Sequence, residues 1–350
     1  MKKYRAVVIG DYAKGEPVYS GQTAKVRDYY NFLLGKFDEE QIQLLDTRGW
    51  QKHPIRLMRE LVRLCKQSEN VVLLLCTNGL SIKFLYPRIV RMKKKYGFRL
   101  LFSVVGGSLL TEYDRLKYVQ KHLKDAEAVY VETRKLESML TEKDHDNIHY
   151  APVFSRRKTV RKEEIMTEFS EPLRLCTYSR VCKEKGISDA IDAVVEVNRR
   201  LGRQACVLDV YGPPTAEYKE EFETKTANAD GAVINQPLLT DANAIDELSK
   251  HYLMVFPTYY NGEGFPIALI ECMKSGLPVV ATDWHFNAEI IDDGKSGFIY
   301  DRDSTSLADV LEPLIRDTES NRQMREYCVE KSYAYEPEEI LRDLYERVAK

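Results

Sequence analysis

The sequence lacks several features that would place it in a membrane or outside the cell. It has no run of about 18 apolar residues, so no transmembrane helix is predicted. Its first residues, MKKYRAVVIGDY, lack the apolar stretch of a secretory signal peptide. The seven cysteines are scattered and include no CxxC pair, which argues against a disulfide framework or a zinc site. Together these absences predict a protein of the reducing cytoplasm.

Two further absences exclude classes of function. No GxGxxG follows the first apolar run, which continues as VVIGDY, so a nicotinamide dinucleotide site is not indicated. No recognised nucleic-acid-binding module accompanies the basic residues, and we therefore expect no nucleic-acid partner.

Charge is distributed unequally along a chain whose net charge is only −2. Residues 1–160 contain 30 Lys and Arg against 18 Asp and Glu, whereas the remainder contains 22 against 36. At 350 residues the chain also exceeds the usual size of a single core. We therefore expect two domains, a basic one over residues 1–160 and an acidic one over residues 170–335.

Short apolar runs alternate with amphipathic segments through both halves. Runs such as Ala6–Gly10 and Asn70–Cys76 predict strands buried on both faces, and segments such as Thr23–Leu34 and Ile187–Arg199 predict the covering helices. This alternation predicts two doubly wound α/β units, which bind ligands at the carboxyl ends of their strands. The polar segment Pro152–Pro172 interrupts the alternation and is predicted to be a linker.

The stretch YYNGEGFPIALIECMKSGLPVVATD, which begins at Tyr259, carries two unusually placed carboxylates. Glu263 lies between two glycines, and Pro266 suits the first turn of a helix whose amino terminus can bind an anion. Glu271 lies within the apolar part of that helix, where a carboxylate is costly unless it has a partner. These features predict a phosphate at the loop, sugar hydroxyls on Glu263 and a ribose diol bound in bidentate fashion by Glu271.

A longer series of motifs surrounds these residues. It comprises Phe256-Pro257, Glu263-Gly264-Phe265-Pro266, Glu271-Cys272-Met273, Gly276 to Asp283, Glu289-Ile290-Ile291 and Asp293 to Gly297. The series resembles the donor-site signature of the retaining glycosyltransferases of family four. These enzymes have the GT-B fold, an α/β fold of two Rossmann-like doubly wound domains that face a cleft. The resemblance is strong over residues 175–300 and diffuse elsewhere.

The resemblance implies a nucleotide-sugar donor and assigns residues to it. The family places an Arg and a Lys on the donor diphosphate, and Arg180 and Lys185 stand at that spacing after a predicted strand. Two cations there would neutralise the charge of the leaving diphosphate, although a solvated loop is the alternative. The predicted catalytic residues are Glu263, Arg180 and Lys185. The predicted donor contacts are Gly21, Ser179, Gly212, Asn261, Gly262, Gly264, Phe265, Pro266 and Glu271.

Two of these donor contacts have simpler alternatives. Gly21 stands at a predicted helix start, where its N–H can face the diphosphate, but Ser20 can equally cap that helix. Gly212 ends the predicted strand that includes Asp209, and a plain turn would look the same. Leu238 is placed near the base by the same comparison.

The amino-terminal half departs from the family pattern. Many members carry a His at the end of the fourth strand of this half, where the present chain has Gly106 and Gly107. We predict that these glycines lie on the acceptor side, and the pattern is similar to the branch that builds bacterial surface polysaccharides. His122 and His149 are expected to be structural or solvated. The last helix, within residues 337–350, is expected to cross back to this domain, as in GT-B proteins.

Two other features bear on partners. The triplet Asp144-His145-Asp146 could suggest a metal site, but it lies in the other domain from the donor signature. The resemblance implies that cationic side chains take the place of a metal, as is general in GT-B enzymes. We therefore expect no metal and no cofactor beyond a UDP- or GDP-sugar. Residues 81–99 contain seven Lys and Arg and no acid, with apolar residues interleaved. Such a segment is typical of contact with an anionic membrane surface on the inner face of the plasma membrane, or equally of a solvated helix.

The sequence therefore predicts a retaining glycosyltransferase that moves a hexosyl group from a nucleotide sugar to a glycan or lipid-linked acceptor. Two alternatives stay open. One is a protein that binds a nucleotide sugar, or assembles with a partner, without catalysis. The other is a phosphorylase or epimerase on the same fold.

Overall fold

A computed structural model describes residues 3–15, 21–76, 79–105, 109 and 113–350. Gly106 and Gly107, the predicted acceptor-side residues, and Ser20 lie outside the described residues. The chain forms two compact units. Unit 1 comprises residues 1–153 and 337–350, and unit 2 comprises residues 154–336.

Unit 1 is built on a parallel sheet of six strands in the order β2-β1-β3-β4-β5-β6. Its strands are β1 (Tyr4–Gly10), β2 (Ile42–Asp46), β3 (Ser68–Cys76), β4 (Arg99–Val104), β5 (Ala128–Val131) and β6 (Ile148–Tyr150). Its helices are α1 (Gly21–Leu34), α2 (Pro54–Gln67), α3 (Gly79–Tyr96), α4 (Lys117–His122) and α5 (Arg134–Thr141). The apolar runs form the inner strands, as the sequence predicts, because both faces of the sheet are covered by helices.

Helix α3 contains the basic segment that suggested a membrane surface. Its apolar residues Leu85, Ile89 and Val90 are at most 1% exposed and pack in the core of unit 1. They are therefore not available for insertion into a bilayer. Among the described residues, no helix combines the length and apolar character needed to span a membrane.

The carboxyl-terminal residues pack on unit 1 as helices α13 (Pro337–Ile340) and α14 (Arg342–Ala349). Tyr130, in β5, donates a hydrogen bond from its hydroxyl to Asp343 at 2.7 Å. Arg347 forms an ion pair with Glu127 at 3.2 Å, and its guanidinium also donates to His149 at 3.3 Å. These contacts tie the end of the chain to the β5 side of the sheet.

Unit 2 also contains a parallel sheet of six strands, in the order β12-β11-β10-β7-β8-β9. Its strands are β7 (Leu173–Tyr178), β8 (Cys206–Tyr211), β9 (Val233–Gln236), β10 (Leu253–Phe256), β11 (Val279–Thr282) and β12 (Gly297–Tyr300). Its helices are α6 (Ile187–Leu201), α7 (Lys219–Ala227), α8 (Ala244–Ser249), α9 (Ile267–Lys274), α10 (Asn287–Ile290), α11 (Leu307–Arg316) and α12 (Glu319–Ser332). The direction of strand succession reverses between β7 and β10, which is where sheets of this order bind ligands.

The polar segment predicted to be a linker lies in unit 2 from residue 154 onwards. The boundary between the units falls inside this segment, and its polar residues have partners within unit 2. Thr159 contacts Ser332 at 3.2 Å, and the N–H of Val160 donates to the carbonyl of Lys274 at 2.9 Å. The ammonium of Lys274 is completely buried and is paired with Glu336.

A buried ion pair lies at the carboxyl edge of the sheet in unit 1. Lys25, in α1, and Glu132, just after β5, are 6% and 4% exposed. The ammonium donates to the Glu132 carboxylate at 2.7 Å and to the carbonyl of Val104, the last residue of β4, at 3.0 Å. Although burial opposes protonation, the charge of Glu132 holds the pKa of Lys25 above its usual value. The pair thus joins one helix to the ends of two strands.

Replacing Lys25 with Met leaves the Glu132 carboxylate buried without its cation. Because an uncompensated buried charge is costly, we expect the free energy of unfolding of unit 1 to fall by about 3–5 kcal/mol. The measurement is urea-induced unfolding, followed by circular dichroism. Lys36→Met is the control, because Lys36 pairs with Glu338 at the exposed surface and such a pair contributes about 0–1 kcal/mol. Equal shifts in the two variants would contradict the structural role of the buried pair.

Candidate functional site

The predicted catalytic residues of unit 2 lie at the carboxyl ends of β7 and β10. These strands are neighbours in the sheet, so the loops that follow them are adjacent. The N–H of Tyr259 donates to the carbonyl of Glu184 at 2.9 Å, which joins the two loops directly. The strand order reverses between these strands, and the candidate site therefore occupies the ligand-binding position of a doubly wound sheet.

Gly186 determines how closely the two loops approach. Its φ is +70°, and a Cβ at this position would lie 2.1 Å from the carbonyl oxygen of Pro257. Any side chain would therefore both strain the backbone and collide with the end of β10. This close approach places the preceding residue, Lys185, against the β10 loop.

Lys185 and Glu263 form an ion pair in which both side chains are about 10% exposed or less. The Glu263 carboxylate also accepts a hydrogen bond from the hydroxyl of Thr258 at 2.9 Å. The Lys185 ammonium lies 5.2 Å from the centre of the Phe256 ring and 5.6 Å from that of Tyr260. An ammonium has three N–H donors, so the pairing with Glu263 leaves donors that can face an anion.

Arg180 also lies close to the Tyr260 ring. Its guanidinium carbon is 5.0 Å from the ring centre, and its side chain is exposed. The indole N–H of Trp284 donates to the Tyr260 carbonyl at 2.9 Å, which fixes the backbone of this residue. Two cations thus lie close to one ring, and of the two only Lys185 pairs with Glu263.

Glu271, in α9, is 4% exposed and lies in a separate cluster of polar side chains. Its carboxylate accepts from Arg157 at 2.7 Å, from the Tyr178 hydroxyl at 2.8 Å and from Ser155 at 3.2 Å. Burial raises the pKa of the Glu271 carboxyl, and the charge of Arg157 limits the rise. The sequence anticipated that this carboxylate needs a partner; the structure supplies one from the protein itself.

The other predicted donor contacts of unit 2 lie around these two clusters. Ser179 donates from its hydroxyl to the Arg180 carbonyl at 3.3 Å, and Asn261 and Gly262 are exposed in the β10 loop. Gly212 has a φ of +108°, and a Cβ there would lie 3.4 Å from the Leu238 side chain.

Three more predicted contacts complete the set. Phe265 is buried, Pro266 is the residue before the first turn of α9, and Gly264, between Glu263 and Phe265, is partly exposed. Gly21 belongs to unit 1, where it is the exposed first residue of α1. Of all the predicted residues, Lys185, Glu263 and Arg180 are the three that lie together around Tyr260.

Within the described ranges, no cluster of three or more His, Cys, Asp or Glu side chains is arranged to hold a metal ion. His145, of the triplet considered for a metal, has its Nε2 at 2.6 Å from the hydroxyl of Tyr113. His122 is similarly engaged, with its Nδ1 at 2.7 Å from Asp125. The cysteines whose side chains are described are free and buried; these are Cys65, Cys176, Cys182, Cys206, Cys272 and Cys328.

Sequence reasoning missed four residues of the site: Tyr260, Thr258, Ser155 and Arg157. Tyr260 directly precedes the Gly-rich loop, and that position was the only available signal for it. Ser155 and Arg157 were missed because they lie in the polar segment interpreted as a linker. No local pattern links them to a carboxylate more than a hundred positions away, since that contact is formed only by the tertiary fold.

Comparison with known sequences identifies relatives of this region. Residues 161–331 match the family model of the glycosyl transferases group 1. The amylovoran biosynthesis glycosyltransferase AmsK of Erwinia amylovora is 29% identical over 150 residues, which are 40% of this chain and 35% of that protein. The GtfA subunit of a UDP-N-acetylglucosamine–peptide N-acetylglucosaminyltransferase from Streptococcus gordonii is 29% identical over 142 residues, 40% of this chain and 27% of that protein. The matches thus cover about a third of each relative.

Solved structures establish the fold over a longer stretch. The sucrose-phosphate synthase of Thermosynechococcus elongatus superposes with a TM-score of 0.73 at 14% identity, covering 98% of both chains. HepE of Anabaena in complex with UDP superposes with a TM-score of 0.71 at 12% identity, covering all of both chains. At these identities the likeness concerns the fold alone, and it confirms the predicted α/β GT-B class. The region with the candidate site carries the sequence pattern of the glycosyl transferases group 1, on a chain with the GT-B fold.

Proposed function

We propose that this protein is a glycosyltransferase that moves a sugar from a nucleotide-diphosphate sugar to a glycan or lipid-linked acceptor with retention of configuration. The observation that carries the proposal is the buried Lys185–Glu263 pair beside Arg180 at the strand-order reversal of unit 2. Among the described residues the exposed Arg180 has no carboxylate partner, and a structural pair would not need such an arginine beside it. An anionic ligand with sugar hydroxyls would use both.

The site residues fit the two ends of such a donor. Arg180 and the remaining N–H donors of Lys185 suit the diphosphate, and the N-terminus of α9 adds a partial positive charge nearby. Glu263, fixed by Lys185 and Thr258, suits hydroxyls of the transferred sugar. Glu271 suits the ribose. UDP is the first nucleotide to test, because HepE was solved with UDP and the GtfA relatives are named for UDP-N-acetylglucosamine.

The proposed reaction depends on charge stabilisation. The acceptor hydroxyl attacks the anomeric carbon on the face from which the nucleotide leaves, and its proton passes to the leaving phosphate. The bond from the anomeric carbon to the phosphate oxygen breaks as the new glycosidic bond forms. Arg180 and Lys185 stabilise the negative charge that develops on that phosphate. We propose that no metal ion and no strong protein base take part, so a His in place of Gly106 or Gly107 is not required.

The proposal extends to the product of the reaction and to the place in the cell where it occurs. AmsK is named for the biosynthesis of amylovoran, whereas the GtfA relatives are named for a peptide acceptor. We propose that the product of the present protein is a bacterial surface polysaccharide. Because the apolar residues of α3 are buried, any attraction of residues 81–99 to an anionic membrane at the cytoplasmic face would rest on their charge.

The proposed activity is tested by incubating the protein with UDP- and GDP-sugars and following nucleotide release with and without candidate acceptors. Release that depends on an acceptor, with a product of the donor's anomeric configuration, supports the proposal. Conversion of the nucleotide sugar without any acceptor would identify an epimerase, and consumption of a sugar phosphate would identify a phosphorylase. Binding without turnover over a wide acceptor panel would identify a non-catalytic nucleotide-sugar protein.

Replacement of Lys185 with Ala removes the cation that we place on the leaving phosphate. We expect the rate of transfer to fall by about 100-fold or more, since removing one preorganised charge-stabilising group costs that much. The control is Lys183→Ala. Lys183 lies in the same short turn, but its side chain is 65% exposed and pairs with Glu221 away from Glu263. The rate in the control is expected to stay within about twofold; similar losses in both variants would contradict the assignment.

Replacement of Gly186 with Ala tests whether the close approach of the two loops positions Lys185. The collision with Pro257 must displace one loop, so we expect the affinity for UDP, measured by calorimetry, to fall at least about tenfold. Gly202→Ala is the matched control, because Gly202 has a similar φ of +64° but no atom within 4 Å of the added Cβ. It shares the backbone strain without the collision. Unchanged affinity in the Gly186 variant would show that the loop contact does not matter.

A further inference from the structure

The cluster around Glu271 includes protein groups that the proposed function does not use. Ser155 and Arg157 both come from the segment at the start of unit 2, and Tyr178 is the last residue of β7. Together they surround a carboxylate that is 4% exposed. The number of acceptor positions left on this carboxylate determines how many ribose hydroxyls it can bind.

Protein groups use most of the hydrogen-bonding capacity of Glu271. A carboxylate has two oxygens with about four lone-pair directions in total. Oε2 accepts from Nη1 of Arg157 at 2.7 Å and from the Tyr178 hydroxyl at 2.8 Å. Oε1 accepts from the Ser155 hydroxyl at 3.2 Å. These contacts fill Oε2 and leave one direction, on Oε1.

Arg157 is held in place by more than Glu271. Its Nη1 also donates to the Tyr178 hydroxyl at 2.8 Å, and its Nη2 donates to Asp241 at 2.6 Å. Moving it away would leave a buried carboxylate without a cation, which is strongly unfavourable. A ligand hydroxyl is a weaker partner than a guanidinium and does not compensate for that loss.

We propose that Arg157 is a positioning residue that occupies Oε2 of Glu271, so that this carboxylate accepts one ribose hydroxyl of the donor instead of two. The inference rests on the proposed function, and it replaces the bidentate diol contact that the sequence suggested. The charge of Arg157 also opposes the rise that burial causes in the pKa of Glu271, which favours the carboxylate, a stronger acceptor than the neutral acid. The nucleotide is thereby recognised through a single hydroxyl of its ribose.

The number of hydroxyls is measured with UDP, 2′-deoxy-UDP and 3′-deoxy-UDP, each titrated calorimetrically into the full-length protein. We expect one deoxy nucleotide to bind within about twofold of UDP and the other at least about tenfold more weakly, because only one loses a hydrogen bond to a charged group. Losses of tenfold for both would restore the bidentate contact and overturn the inference. No loss for either would also overturn it. Failure of UDP, GDP and ADP all to bind would overturn the proposed function itself, a result distinct from the others.

The role of Arg157 is measured with Arg157→Gln, with Arg156→Gln as the control. Arg156 is the exposed neighbour on the same segment. We expect the Arg157 variant to bind UDP about tenfold more weakly near neutral pH, with the control unchanged. Thermal unfolding of both variants shows whether they are folded. Arg157→Lys is expected to retain part of the affinity that Arg157→Gln loses.

The pH dependence separates a positioning role from a merely structural one. The groups that face Glu271 are Arg157, Tyr178 and Ser155, with Asp241 nearby. Burial already raises the pKa of Glu271, and loss of the Arg157 cation raises it further. Below its pKa the carboxyl is neutral, so UDP affinity in Arg157→Gln is expected to keep rising with pH above the pH at which that of wild type becomes constant.

The phosphate of UDP also changes its protonation with pH. Its contribution to the affinity is common to all variants and cancels in the comparison. Equal pH slopes in wild type, Arg156→Gln and Arg157→Gln would overturn the positioning role.

Discussion

A carboxylate that is removed from water must be compensated, and this constraint organises both units of the protein. Glu132 in unit 1, and Glu263 and Glu271 in unit 2, all lie at or beyond the carboxyl ends of strands and are largely buried. Each is paired with a cation from a different segment of the chain. The cost of burying each charge therefore fixes which loops and helices must meet at the end of each sheet.

The two carboxylates of unit 2 have different surroundings, which suits different tasks. Glu263 is paired with Lys185, whose flexible ammonium keeps further donors available. Glu271 is paired with Arg157, whose planar guanidinium engages Tyr178 and Asp241 at the same time. Lysine serves as a mobile point charge and arginine as a rigid fork. The first pair can adjust its geometry, whereas the second fixes the orientation of a carboxylate.

The sequence predicted the sheets well and the site only in part, for physical reasons. Strand β3 was predicted over Asn70–Cys76 and is observed over Ser68–Cys76, because apolar runs between turns determine buried parallel strands locally. The group of Lys185, Glu263 and Arg180 was found because a strand end and a glycine loop mark it. Arg157 was not found, because a polar residue outside any periodic segment shows its partner only after folding. The apolar residues of α3 favoured contact with a membrane surface, but they are buried in the core. A helix that faces the core and one that faces a bilayer have the same apolar pattern.

The buried Lys274, at the end of α9, has a consequence for the architecture of the chain. Its carbonyl accepts from Val160, near the start of unit 2, and its ammonium pairs with Glu336, the last residue of that unit. Unit 2 is thus an insertion into unit 1 whose entry and exit are fastened at one point. An insertion with adjoining ends adds little chain-closure entropy to its host. Both contacts lie within unit 2, so its two ends are held together without any residue of unit 1.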